Sequence, residues 1–165
     1  MKTFCLTTAF AVLLLISLNG VQAQTVTTNL DQLKLMQQFR GTWQRNIGKD
    51  TVVVLEYQLY GNAYAATVNL LINGKKSFYY SVNSGFSLKE GKFRTFILYS
   101  NGNYMTYLGS YITEKKFSYD IVQNFDPAKV LGKIEITFDT PTNMTQTFFN
   151  SDGVKTREVK FSKVK

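Results

Sequence analysis

Ten tyrosines and no histidine bound the chemistry open to this chain of 165 residues. Without histidine there is no Ser-His-Asp or Cys-His relay, no His-ligated zinc and no haem held by a proximal His. The one cysteine, Cys5, precedes a leader-like apolar run, so the chain beyond that run has no thiol. The glycines sit singly at turns and form no phosphate-binding loop. Carboxylates could still do acid–base work, but Asp50, Glu56, Asp120 and Glu135 are scattered. Asp120 and Glu135 alternate with apolar neighbours and read as solvent-face residues, and Glu56 faces away from Val53, Leu55 and Tyr57. No metal set and no cofactor motif is expected. Tyrosine remains, with an apolar ring and a hydroxyl that needs a partner. Alternation puts Tyr57 on one face with Val53, Leu55 and Leu59. It groups Tyr64 with Ala66, Val68, Leu70 and Ile72, Tyr80 with Phe78 and Val82, and Tyr119 with Phe117 and Ile121. Tyr57, Tyr64, Tyr80 and Tyr119 could line a cavity for a ligand with an apolar body and a few polar groups. Equally, the rings could simply fill the interior.

The elements that must hold these side chains begin with one short helix. Asn29 is a suitable N-cap, with Gln32 at the capping-box position. Leu30, Leu33, Met36 and Phe39 follow on one face, Asp31 and Arg40 suit the helix dipole, and Gly41 ends the run. A helix of about three turns is not stable alone and must dock on something. Beyond Trp43 the period changes to that of strands. Gly61-Asn62, Asn73-Gly74, Glu90-Gly91, Asn101-Gly102-Asn103 and Asp152-Gly153 punctuate β-branched and aromatic runs. Asn73-Gly74 is the strongest hairpin signal. The strand from Lys76 is expected to break near Asn83-Ser84. Asp126-Pro127 is expected to end another, with the next starting at Lys133. The strands at 93–99 and 104–112 are aromatic on both faces and cannot be oriented from the pattern. The fold class is all-β: an antiparallel up-and-down meander closed into an eight- to ten-stranded barrel, with a short N-terminal helix.

Residues 1–23 read as a signal peptide, with Lys2 as its basic start, an apolar run at 10–18 and a small-residue site at Val21-Gln22-Ala23. That leaves 24–165 as a single domain. A cysteine-free exported chain must rely on its core, and at about 140 residues one domain can do so. The expected location is the periplasm or the extracellular space, with no stable membrane anchor. The formal net charge is +8. The basic residues are spread over turns and the C-terminal stretch, in a manner that suits solubility and edge protection. No basic-aromatic stripe of the nucleic-acid kind is present.

The helix, the run Phe39-Arg40-Gly41-Thr42-Trp43 and the meander together resemble the lipocalin and fatty-acid-binding (calycin) barrels. The hallmark of those barrels is a Gly-x-Trp at the entrance to the first strand, here Gly41 and Trp43. The chain looks most like the small exported bacterial lipocalin-like domains. The resemblance implies that Trp43 closes one end and that an arginine from a late strand packs across its ring. Arg157 is the candidate, sharing a face with Val159 and Phe161. The alternative is that Arg157 binds a ligand carboxylate, as a late-strand arginine does in fatty-acid-binding proteins, and Arg94 is a second candidate for anion binding. The chain departs from animal lipocalins in having no disulfide. It departs from intracellular fatty-acid binders in having a leader and no helix-turn-helix lid. The expected function is non-catalytic binding of a small apolar or amphipathic molecule by a monomer. The rivals are a solid barrel acting as a surface or interaction module, and a barrel isomerase or cyclase.

Overall fold

The structure, a computed structural model, describes residues 30–164. Both the expected leader and Asn29 lie outside them. A single helical turn, α1 (Gln32–Leu35), runs into a 3₁₀ turn (Met36–Phe39). Ten strands follow: β1 (Gly41–Asn46), β2 (Thr51–Tyr60), β3 (Ala63–Ile72), β4 (Lys75–Ser87), β5 (Lys92–Tyr99), β6 (Tyr104–Thr113), β7 (Lys116–Gln123), β8 (Asp126–Thr140), β9 (Asn143–Asn150) and β10 (Lys155–Lys163). Each strand pairs antiparallel with the next, and β1 pairs with β10 to close the barrel. The turns explain the meander. At the β3–β4 hairpin Asn73 and Gly74 both have positive φ, 50° and 77°, as a two-residue hairpin of this twist requires.

The helix is shorter than its apolar stripe predicts, and it is capped two residues later. Asp31 is the N-cap; its side chain accepts from the Lys34 amide at 2.9 Å. A stripe with strict spacing of three fits 3₁₀ geometry better than α, because side chains at i and i+3 then eclipse. Accordingly, Met36 and Phe39, both in the 3₁₀ turn, carry the burial. Gln32 does not close a capping box. Its amide clamps β6, donating to the Tyr111 carbonyl at 3.0 Å and accepting from the Tyr111 amide at 2.7 Å. Tyr111 lies two residues beyond the last β5–β6 pair, Phe93 with Gly109. Gln32 thus continues the hydrogen bonding along β6 past the point where the pairing with β5 ends.

Three further departures have backbone causes. The strand β4 is unbroken through Asn83 and Ser84, which pair with Ala65 and Tyr64 on one side and Phe96 and Thr95 on the other. A bulge between the Val68–Tyr80 and Asn69–Phe78 pairs gives β4 one extra residue, Tyr79. The extra residue reverses parity, so Phe78 is outward and 46% exposed rather than inward. The strand β8 starts at Asp126 and not Lys133, because irregular pairing with the end of β7 lets it begin beside Gln123.

The helical segment plugs one end. The Phe39 ring lies 5.1–5.6 Å from the rings of Tyr57, Tyr64, Phe117 and Phe138. Trp43 is fully buried, and its indole Nε1 donates to the Phe39 carbonyl at 2.9 Å. The Gly-x-Trp pair thus ties the end of the 3₁₀ turn to β1, and Gly41, at φ 110°, makes the change of direction between them. The plugged half of the barrel is solid with aromatic rings. The other half is hollow.

Candidate functional site

The hollow half encloses about 470 Å³ and opens at the end opposite the plug. That volume lies within the range of small-molecule sites. Its walls come from the inward residues of all ten strands. Val53 and Leu55 of β2, Leu70 of β3, Ile97 of β5 and Ile134 and Ile136 of β8 make the apolar surface. Tyr57, Tyr64, Tyr80 and Tyr119 all line it, and Tyr79, Tyr99 and Tyr107 join them. Burial raises the phenol pKa of Tyr57, Tyr64, Tyr80, Tyr107 and Tyr119, so all five are neutral hydrogen-bonding groups.

Two arginines stand at the open part of this cavity. Arg157 of β10 lines it, its guanidinium 4.2 Å over the ring of its cross-strand partner Phe148. Arg45 of β1 lines it too, 5.4 Å over Phe161. The Arg45 Nε is buried and has no hydrogen-bond partner. Burial, and then the charge of Arg157, lower the Arg45 pKa from its ordinary value; proximity to Tyr80 acts the other way. No aspartate or glutamate lines the cavity. Among the described residues, no carboxylate lies within ion-pair distance of either arginine. Arg45 is half-buried and Arg157 is exposed, so the cavity mouth carries two like charges with no carboxylate partner, and an anion entering there would meet both.

No family model matches the chain, and no curated protein matches its sequence. The closed ten-stranded antiparallel meander is consistent with the lipocalin-like, calycin resemblance in architecture.

The other candidates sit elsewhere. Arg94 is on the outer face of β5, bidentate to Glu90 at 2.6 and 2.8 Å and 5.5 Å over the Phe125 ring, so its charge is already matched outside the barrel. Arg157 does not cover Trp43. That position is taken by Lys163, the cross-strand neighbour of Trp43, with its Nζ 4.8 Å from the ring centre. Much of the basic exterior is matched: Lys76 to Glu56 at 2.9 Å, Lys116 and Lys133 to Glu135 at 3.1 and 2.8 Å, and Lys155 to Glu158 at 2.6 Å. Among the described residues no cluster of His, Cys, Asp and Glu could hold a metal ion, and no helix is long and apolar enough to cross a membrane.

Sequence reasoning missed Arg45, although a signal was there. It lies two residues after Trp43 on one strand and therefore shares its face. Tyr99 and Tyr107 were hidden by strands that are aromatic on both faces. Thr95 was hidden because a small polar residue does not announce a buried face.

Proposed function

We propose that this protein is an exported, non-catalytic carrier of a small amphipathic molecule held inside the barrel. The molecule's apolar body lies against Val53, Leu55, Ile97 and Ile136, and its acidic head meets Arg45 and Arg157. One observation carries the reading: a mostly apolar cavity of about 470 Å³ with two arginines and no carboxylate in its wall. A carboxylate head would relieve the repulsion between the arginines and satisfy the buried Arg45 Nε, and guanidinium–carboxylate bonds are among the stronger polar contacts. Export is supported by the apolar run at 10–18 and the cleavage-like Val21-Gln22-Ala23.

The test is a fluorescence titration with anilinonaphthalenesulfonate, which is apolar and anionic, followed by displacement with dodecanoic acid and with dodecanol. Saturable uptake with one dye per chain is expected, and the acid should displace the dye better than the alcohol. No uptake, or equal displacement by both, would contradict the reading.

A further inference from the structure

At the inner end of the cavity lies a group of hydroxyls for which an acid head at the mouth has no use. Tyr64 of β3, Ser84 of β4 and Thr95 of β5 are successive cross-strand partners, so their side chains form one row on the inward face. Tyr119 reaches the same row from β7. The Tyr64 and Tyr119 hydroxyls are hydrogen-bonded to each other, and Ser84 Oγ and Thr95 Oγ1 are 2.7 Å apart. All four residues are buried, at 2, 4, 1 and 7% exposure for Tyr64, Ser84, Thr95 and Tyr119. Tyr64, Thr95 and Tyr119 face the cavity.

The count of protons and lone pairs says what such a group can take. Each hydroxyl has one proton to give and two lone pairs to receive. The Tyr64–Tyr119 and Ser84–Thr95 bonds use two of the four protons, so the cluster keeps two protons to give as well as lone pairs to receive. A second anion is excluded here, because the cluster holds no cation and a buried charge needs one. An apolar end group would leave the spare lone pairs facing hydrocarbon. The matching group is an uncharged donor that can also accept, which is an alcohol.

We propose that Tyr64, Ser84, Thr95 and Tyr119 form a second polar subsite, for a ligand hydroxyl, and that the bound molecule is a medium-chain hydroxy acid with its acid at the mouth and its alcohol at the inner end. This rests on the reading of the cavity as a carrier site for an acid. The spacing suits such a molecule. Arg45 pairs with Val53 on β2, and Tyr57, four residues further along β2, has its ring 5.8 Å from that of Tyr64. Four residues of strand span about 13 Å.

The experiment compares dodecanoic acid with ω-hydroxydodecanoic acid as competitors of bound anilinonaphthalenesulfonate. The hydroxy acid should bind the wild type roughly tenfold tighter, the gain from one well-made buried hydrogen bond. In Tyr64→Phe and in Thr95→Val that advantage, taken as the ratio of the two acids' affinities within each variant, should shrink to about twofold or less. Equal affinity of the two acids on the wild type overturns the hydroxyl subsite, leaves the carrier reading intact and needs no variant to fold. An advantage that survives both substitutions overturns the assignment to these residues. Failure of either acid to displace the dye overturns the carrier reading and the subsite with it.

Discussion

Gly109 is where the placement of the cavity wall can be challenged with one methyl group. A Cβ built on Gly109 would lie 2.5 Å from Tyr119 Cδ1, 2.6 Å from Phe117 Cε1 and 2.8 Å from Tyr119 Cε1. Carbon contacts are ordinarily about 3.5 Å, so in Gly109→Ala the Tyr119 ring must retreat by about 1 Å. It cannot retreat toward Phe117, whose ring centre is already 4.5 Å away, nor toward Tyr107 at 5.6 Å. The free direction is into the cavity, which strains the bond to the Tyr64 hydroxyl. Overpacking of this kind costs about 1–3 kcal/mol. For a domain of this size that lowers Tm by roughly 3–5 °C per kcal/mol. The assay pairs differential scanning calorimetry with dye titration. Gly109→Ala should melt about 3–15 °C lower, and it should hold anilinonaphthalenesulfonate more weakly, because the ring now occupies part of the site. Wild-type melting together with wild-type dye affinity would refute the argument that the Tyr119 ring lies over a bare backbone.

Three other outcomes are expected. Trp43→Phe should keep the plug but leave the Phe39 carbonyl without its 2.9 Å donor, at about 1–3 kcal/mol, whereas Trp43→Ala should cost about 3–5 kcal/mol; denaturant unfolding of the two variants checks the order. Arg157→Met should weaken the anionic dye by tenfold or more, as loss of a charged hydrogen bond of about 1.5–3 kcal/mol implies, without lowering the Tm of the empty protein, because it also relieves Arg45 of a like charge; a drop in both would show that Arg157 is a structural residue. Seven phenols, those of Tyr57, Tyr64, Tyr80, Tyr99, Tyr107, Tyr111 and Tyr119, have pKa values raised chiefly by burial. A folded value above the unfolded one means that their neutral form stabilises the barrel fully below about pH 10 and that this contribution is lost as pH rises through the folded values, so Tm should be insensitive to phenol ionisation near neutrality, fall steeply above about pH 10, and phenolate absorbance should grow in step with unfolding.

The meander was legible because its signals are local. Glycine and asparagine at the turns and strict alternation on β2, β3, β7 and β8 specify where strands begin, end and face. What escaped depends on single insertions or on context. The extra Tyr79 in β4 turns Phe78 outward, and nothing in the alternation of that strand marks the bulge. The spacing of three in the plug reads as an α-helix unless its strictness is taken as a 3₁₀ period. On β5 and β6 aromatic character does not report the face. Phe96 and Tyr104 stack on each other outside the barrel at 5.5 Å, while Phe93 and Tyr107 lie within. The four tyrosines and Arg157 reach the cavity wall. Arg94 has the same charge but the opposite parity, and Glu90, four residues before it, holds it outside. The arginine pair needed β1 and β10 to meet, which only closure of the barrel brings about.

The most direct measurement of the central claim is native mass spectrometry of the protein purified from its own host, with solvent extraction and identification of whatever is released. A discrete acid bound one per chain to the wild type, and lost from a doubly substituted Arg45→Met, Arg157→Met protein, is the result the account predicts. A clean unliganded mass, with no uptake of anilinonaphthalenesulfonate, would contradict it.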